Sequence, residues 1–314
     1  MNEGLNMGWR RRGGLLVSPK LFFWIAKHPQ EYLIDFNPSQ SFLNLIKQAG
    51  VDVYTFIERT FLGKERHWNF KYVHDNVALM KIYSHDYWWK KIAKSSRWAV
   101  RKAVRKGVTI RIEKPTEQLA LEIWKIYNET PIRQGRGFPH YGESYESVLK
   151  GILRNGCLSV KTDRTLLGAY YKGRLIGFMI IDARGNVGVI TQFLSYIAHR
   201  DKAPNNALIS EAVKVCEEKG IRYLIYARMG NHPSLDLFKY RNGFRRFVLP
   251  RYYIPITWRG SLALKIGIYR DLVDAIPQGL KYPLIPVVNA LDRFKTRCRL
   301  LLRPTPWTAT LNGT

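Results

Sequence analysis

Cationic and amide side chains gather just ahead of one helical run. The segment Ala198-His-Arg-Asp-Lys-Ala-Pro-Asn-Asn206 puts Arg200 and Lys202 in a polar loop, with Asn205 and Asn206 in the first turn of the run Pro204 to Lys219. A helix amino end points N–H groups outward and carries partial positive charge, so it attracts anions. Taken from the residues alone, the segment reads first as a capped helix behind a solvated loop. A second group is Arg133 and Arg136, in the loop Asn128 to Gly137. A guanidinium grips carboxylate or phosphate through paired hydrogen bonds, and it also sits well in solvent. A third group is the basic run within Tyr87 to Lys106: Lys90, Lys91, Lys94, Arg97, Arg101, Lys102, Arg105 and Lys106, with no acid between them. Lys90, Lys94, Arg97, Arg101 and Arg105 recur on one helical face, while Ile92, Ala99, Val100, Ala103 and Val104 turn inward. Mutual repulsion without an acidic partner points to a phosphate-contacting surface.

These residues need elements to hold them. Val187 to Leu194 is rich in β-branched and aromatic residues and predicts a strand; Pro204 to Lys219 predicts a helix that Gly220 stops. The strand Ile221 to Tyr226 and a helix Ser234 to Asn242, closed by Gly243, complete a βαβα unit on a partly parallel sheet. Ahead of it, Cys157–Val160, Leu166–Tyr171 and Leu175–Asp182 predict a meander with Lys172-Gly173 as a tight turn. Thr116 to Glu129 predicts a helix capped by Thr116, and Tyr145 to Leu153 another. Earlier, residues 1–20 read as poorly ordered. Leu21 to Leu62 reads as short helices, one capped by Ser41, with a strand at Tyr32–Phe36. Trp68–Val73 and Val77–Tyr83 read as a strand pair turning at His74-Asp-Asn76. A long strand from Arg245 to Ile256 precedes apolar, basic helices.

Composition bounds the function classes. At 314 residues with 46% hydrophobic content, the chain can bury a large core. Lysine and arginine total 51 against 24 acids, a formal charge of +27 that predicts a polyanionic partner: RNA, an anionic membrane face or a phosphorylated substrate. Cys157, Cys216 and Cys298 lack metal or disulfide spacing, and the histidines are unpaired, so no metal is expected and a reducing cytoplasm fits. No signal peptide or membrane-spanning run is predicted. No Gly-x-Ser-x-Gly elbow and no P-loop is present.

The βαβα segment resembles the GNAT acyltransferase fold. That family normally shows a Gln/Arg-x-x-Gly-x-Gly/Ala turn, and His199 to Asn206 has no glycine. The proline with small and polar residues is similar instead to the FemAB branch, GNAT-like enzymes of peptidoglycan bridge synthesis and their relatives. Phe238-Lys-Tyr-Arg-Asn-Gly-Phe244 resembles the Phe-Lys-x-x-x-Gly motif of that branch, with Lys239 where many GNAT enzymes carry tyrosine. Ser96-Arg-Trp-Ala-Val-Arg-Lys-Ala-Val-Arg-Lys-Gly107 and the Glu-Thr-x-x-Arg-x-Gly pattern from Glu129 resemble it too.

The resemblance implies an α/β (α+β) fold: a GNAT-like mixed sheet flanked by helices, as a tandem of one degenerate and one complete unit with a C-terminal helical tail. The expected domains are 1–107, 108–259 and 260–314. It further implies an N-acyltransferase in envelope or polysaccharide biosynthesis, with Lys239 charging or protonating the leaving group and Gln192 and Ser195 facing the donor cleft. Arg200, Lys202, Asn205 and Asn206 would bind the co-substrate, acyl-CoA (acetyl-CoA) or aminoacyl-tRNA. Arg133, Arg136, Arg228 and Asn231 would meet the amine-bearing substrate. Expected partners are tRNA along Lys90–Lys106 and an anionic membrane along the tail, with a cytoplasmic location peripheral to the inner face of the membrane. The alternative is a non-catalytic RNA- or anionic-membrane-binding protein on the same scaffold.

Overall fold

In the computed structural model, which describes residues 9–269 apart from 13, 64, 65, 67, 154–160 and 231, together with 290, 293, 294 and 296, the chain divides into two compact units. The first joins 3–114 to 154–270, and the second joins 115–153 to 271–314. The strands are β1 (Arg10–Arg12), β2 (Leu15–Pro19), β3 (Trp24–Lys27), β4 (Val53–Ile57), β5 (Lys71–Lys81), β6 (Thr109–Glu113), β7 (Ile132–Arg133), β8 (Arg136–Gly137), β9 (Asp163–Tyr171), β10 (Arg174–Arg184), β11 (Val187–Ser195), β12 (Tyr223–Ile225) and β13 (Arg245–Pro255). The helices are α1 (Gln40–Gln48), α2 (His85–Lys91), α3 (Lys94–Arg105), α4 (Glu117–Tyr127), α5 (Tyr145–Leu153), α6 (Pro204–Glu218), α7 (Pro233–Arg241) and α8 (Trp258–Ile266).

The first unit is built on one mixed sheet of eleven strands in the order β1-β2-β3-β4-β13-β5-β12-β11-β10-β9-β6. Two of its pairings are parallel, β3 with β4 and β11 with β12. Each is joined by a helix, α1 or α6, so a strand–helix–parallel strand arrangement occurs twice. Strand β13 lies between β4 and β5, and β5 pairs with β12, which ties the early chain to the late one. The expected mixed sheet flanked by helices is what forms.

Local rules account for most boundaries. Lys172 and Gly173 both have positive φ, 50° and 78°, the geometry that a two-residue hairpin between β9 and β10 requires. Helix α6 buries Leu208, Ile209, Ala212, Val213, Val215 and Cys216, the apolar positions that give it its period, in the core shared with β10, β11 and α2. The basic run is a helix pair, broken at Ile92 and Ala93. Arg97 closes the break by donating to the carbonyls of Trp89, Lys90 and Ile92, an orphan set that every helix end leaves.

Several early expectations are corrected. Arg10–Arg12 and Leu15–Pro19 form an edge β-pair, where charged residues suit an unpaired strand edge and mask the strand signal. Tyr32–Phe36 is turn and coil; Tyr32 and Leu33 are apolar because they fill the core beneath it. His74-Asp-Asn76 is no turn, since β5 runs through it unbroken and Asp75 points at buried arginine. Ser39, not Ser41, caps α1 by accepting from Phe42 N. Val104 is exposed on α3 while Val100 and Ala103 pack inward. The expected strand Cys157–Val160 and most of the tail lie outside the described residues.

The second unit is described by α4, the β7–β8 hairpin and α5. Thr116 caps α4 as expected, accepting from Leu119 N. Trp124 Nε1 donates to the Glu143 carbonyl, 2.9 Å, and His140 stacks on Tyr127 with ring centroids 4.3 Å apart.

Candidate active site

The site begins where β11 and β12 part. They pair only over Val187–Val189 and Tyr223–Ile225, yet β11 continues to Ser195. Gln192 opposes Ile180 while Ile190 opposes Ile181, so Thr191 is the extra residue of a β-bulge two residues past the last parallel pair. A bulge bends its strand and sharpens the twist, which here opens the sheet between the two strands. Gln192 is half-buried and Ser195 is buried. The alternation of a strand puts them on opposite faces, so they do not share a wall of the opening. Ser195 lies against Gly177, where an added Cβ would come within 2.8 Å of Ser195 Cβ.

Lys239 is the most unusual side chain of the region. It sits on α7 with only 1% of its surface exposed. Its Nζ donates to the Arg228 carbonyl at 2.7 Å and lies 4.5 Å from the centre of the Tyr226 ring. Burial pulls its pKa down to about 8, against a smaller opposing pull from Asp236. Aromatic rings pack around it: Phe193 of β11 is 5.5 Å from Tyr226 and 6.2 Å from Phe238. The motif Phe238-Lys239 therefore lands at the opening, with the lysine beneath Tyr226.

The loop that receives Lys239 is held on every side. Ala227 adopts φ 50°, the Met229 N–H donates to Asn76 Oδ1, and the Gly230 N–H donates to Asp236 Oδ2. The Arg228 guanidinium pairs with Asp75 at 2.8 Å. Asp75 also accepts from Arg251 Nε at 2.7 Å, and Arg251 forms a two-pronged pair with Glu31, which accepts from Lys27 as well. Burial is the largest single influence and would raise both carboxyls, but Arg251 together with Lys27 at Glu31 and Arg228 at Asp75, and the hydrogen bonds they accept, holds both below their ordinary values. These two carboxylates and Arg251 come from positions far apart in the chain, so no local pattern announces them. Asp75 was legible only as a turn former.

Facing the start of α6, the loop Ile197–Lys202 is a 3-10 turn that ends in Ala203 at φ 53°. Pro204 has no N–H, and the amides of Asn206 and Ala207 both close onto the Ala203 carbonyl. Arg200 is exposed, and Lys202 pairs with Asp201 at 3.0 Å and lies 5.0 Å from the Tyr171 ring. Asn205 Oδ1 is buried with no hydrogen-bond partner among the described residues. Asn206 Nδ2 instead donates to Asn242 Oδ1 at 3.0 Å, which fastens the start of α6 to the end of α7. The Asp201 carboxyl is held low first by Lys202 and further by Lys106 and Lys102, which places the end of α3 beside this loop.

In the second unit Arg133 is buried and committed: Nη2 donates to the Ile126 carbonyl and to Glu129 Oε2, both at 2.8 Å. It caps the end of α4. Arg136 is half-buried on β8. Asn231 lies outside the described residues. Among the described residues no cluster of His, Cys, Asp and Glu could hold a metal ion, and no helix is long and apolar enough to cross a membrane.

Residues 121–244 match the acetyltransferase (GNAT) family model. The solved structure of FemX is similar in fold at 13% identity over 82% of this chain and 90% of that one, with a TM-score of 0.53. L-PGS from Bacillus licheniformis is similar at 13% identity over 81% of this chain and 85% of that one, with a TM-score of 0.51. At these identities the likeness is one of fold. No curated protein sequence matches the chain.

Proposed function

We propose that this protein is an N-acyltransferase that passes an acyl or aminoacyl group to an amine acceptor, with Lys239 serving the leaving group. The acceptor nitrogen forms a bond to the donor carbonyl carbon, and the carbonyl bond to oxygen or sulfur breaks. The ammonium of Lys239 donates a proton to the departing atom, and the acceptor amine releases one to solvent. A near-dry lysine poised by burial is suited to such transfer, because a catalytic pKa near the working pH balances proton availability against driving force. The single observation that carries this reading is the buried Nζ anchored on the Arg228 carbonyl below Tyr226. Acidic-end recognition of the donor falls to Arg200, Lys202 and Asn205, with Lys102 and Lys106 alongside.

Two donors fit the reading, acyl-CoA and aminoacyl-tRNA. The basic face of α3 beside the 3-10 turn favours the larger polyanion, since a coenzyme pyrophosphate needs fewer cations than this surface offers. Thermal melting with acetyl-CoA, longer acyl-CoA and charged tRNA tests it, because a ligand of the folded state alone raises the midpoint. A rise with charged tRNA, followed by transfer of its aminoacyl group to an amine, supports the reading. A rise with acyl-CoA alone replaces the donor, and no transfer from either donor refutes the enzyme assignment.

A further inference from the structure

Helix α8 carries apolar residues on the wrong side. Leu264 and Ala263 pack inward with Phe23, Val53, Tyr253 and Tyr269. On its outer face Trp258, Leu262 and Ile266, spaced four apart, are 71%, 41% and 56% exposed. The β2–β3 turn adds Leu21 at 88% and Phe22 at 39%, and Trp24 at the start of β3 is 39% exposed. The two segments are fastened together: Phe23 shares the α8 cluster, and Asp52 accepts from both the Trp24 N–H and the Thr257 hydroxyl. Gly260 permits the approach, since an added Cβ would meet the Asp52 carbonyl oxygen at 2.0 Å. Arg259 and Lys265 are exposed on the same helix, and no acid occurs from Lys20 to Trp24 or from Thr257 to Tyr269.

We infer that this face, α8 with the Leu21–Trp24 turn, docks onto an anionic lipid bilayer. Aromatic and aliphatic tips of this kind enter the interfacial region, and neighbouring arginine and lysine add attraction to acidic headgroups. Aliphatic Leu21, Leu262 and Ile266 offer nothing to a nucleic-acid base, which separates this face from the basic α3 surface. The inference goes beyond acyl transfer and stands on different residues, so either can fail alone.

Co-sedimentation with phosphatidylcholine vesicles, with and without an anionic phospholipid, tests it using the full chain and no donor. Binding is expected only to the anionic vesicles. Trp258→Ser with Leu262→Ser and Ile266→Ser should abolish it, and Arg259→Glu with Lys265→Glu should weaken it by roughly tenfold or more. Leu21→Ser with Phe22→Ser gives an independent apolar test should the triple variant fold poorly. Absence of binding to anionic vesicles, or binding that all the variants retain, overturns the inference. So does a dimer in sedimentation velocity that the Ser variants dissolve without any vesicle binding, which would make the face a contact between copies of the chain.

Discussion

Lys239 lies almost wholly out of water, and its charge is tolerated because a carbonyl and a ring face it. Its folded pKa of about 8 lies below the ordinary lysine value of 10.5. Between those two values the unfolded chain binds the extra proton, so stability rises with pH across that window. Lys239→Met should remove this rise, which paired denaturant titrations at several pH values would reveal; an unchanged slope would place the titration elsewhere. Arg251, Asp75 and Glu31 pose a different problem. Removing one partner from a buried ion group leaves an uncompensated charge, so Asp75→Asn should cost about 3 kcal/mol in urea denaturation. The folded carboxyls are depressed, so their contribution is complete above the ordinary carboxylate range and fades as pH falls through the folded values. A variant with unchanged stability would show that these charges are paid for by water.

At the level of elements, the opening depends on a mismatch of lengths. β11 outruns its parallel partner, and the Thr191 bulge turns it away. Glycine at 260 is the corresponding close contact for α8: Gly260→Ala should destabilise by about 1–3 kcal/mol in thermal or chemical melting, because backbone at Asp52 cannot yield as a side chain could. A neutral outcome would mean α8 can lift from Asp52. Much of this scale was legible in the sequence. The apolar period of α6, the Lys172-Gly173 turn and the motif around Lys239 each carry their geometry locally. The bulge was not legible, because it is a property of a pair of strands. The same holds for β5, where Asp75 and Asn76 look like a turn until Arg251 and Met229 are brought to them. Arg133 was read as a substrate ligand because a loop arginine has no local mark of capping a helix seven residues back.

Over the whole molecule, one sheet takes strands from both ends of the chain, with β13 inserted between β4 and β5. The positive charge of +27 then acts as a field as well as a set of contacts. Polyanion binding should weaken linearly in log–log salt titrations, and replacing Arg101, Lys102, Arg105 and Lys106 with serine should reduce the slope by about 3. Filter binding of tRNA over a salt series measures this; an identical slope would assign the contacts to another face. The most direct measurement is the initial rate of acyl transfer for the native chain and Lys239→Met, from whichever donor raises the melting midpoint, over a pH series spanning the lysine pKa of about 8. The account predicts a native rate that falls above that pH and a loss of roughly a hundredfold or more in a variant that still melts cooperatively. A folded variant that keeps the native rate and pH profile would contradict it.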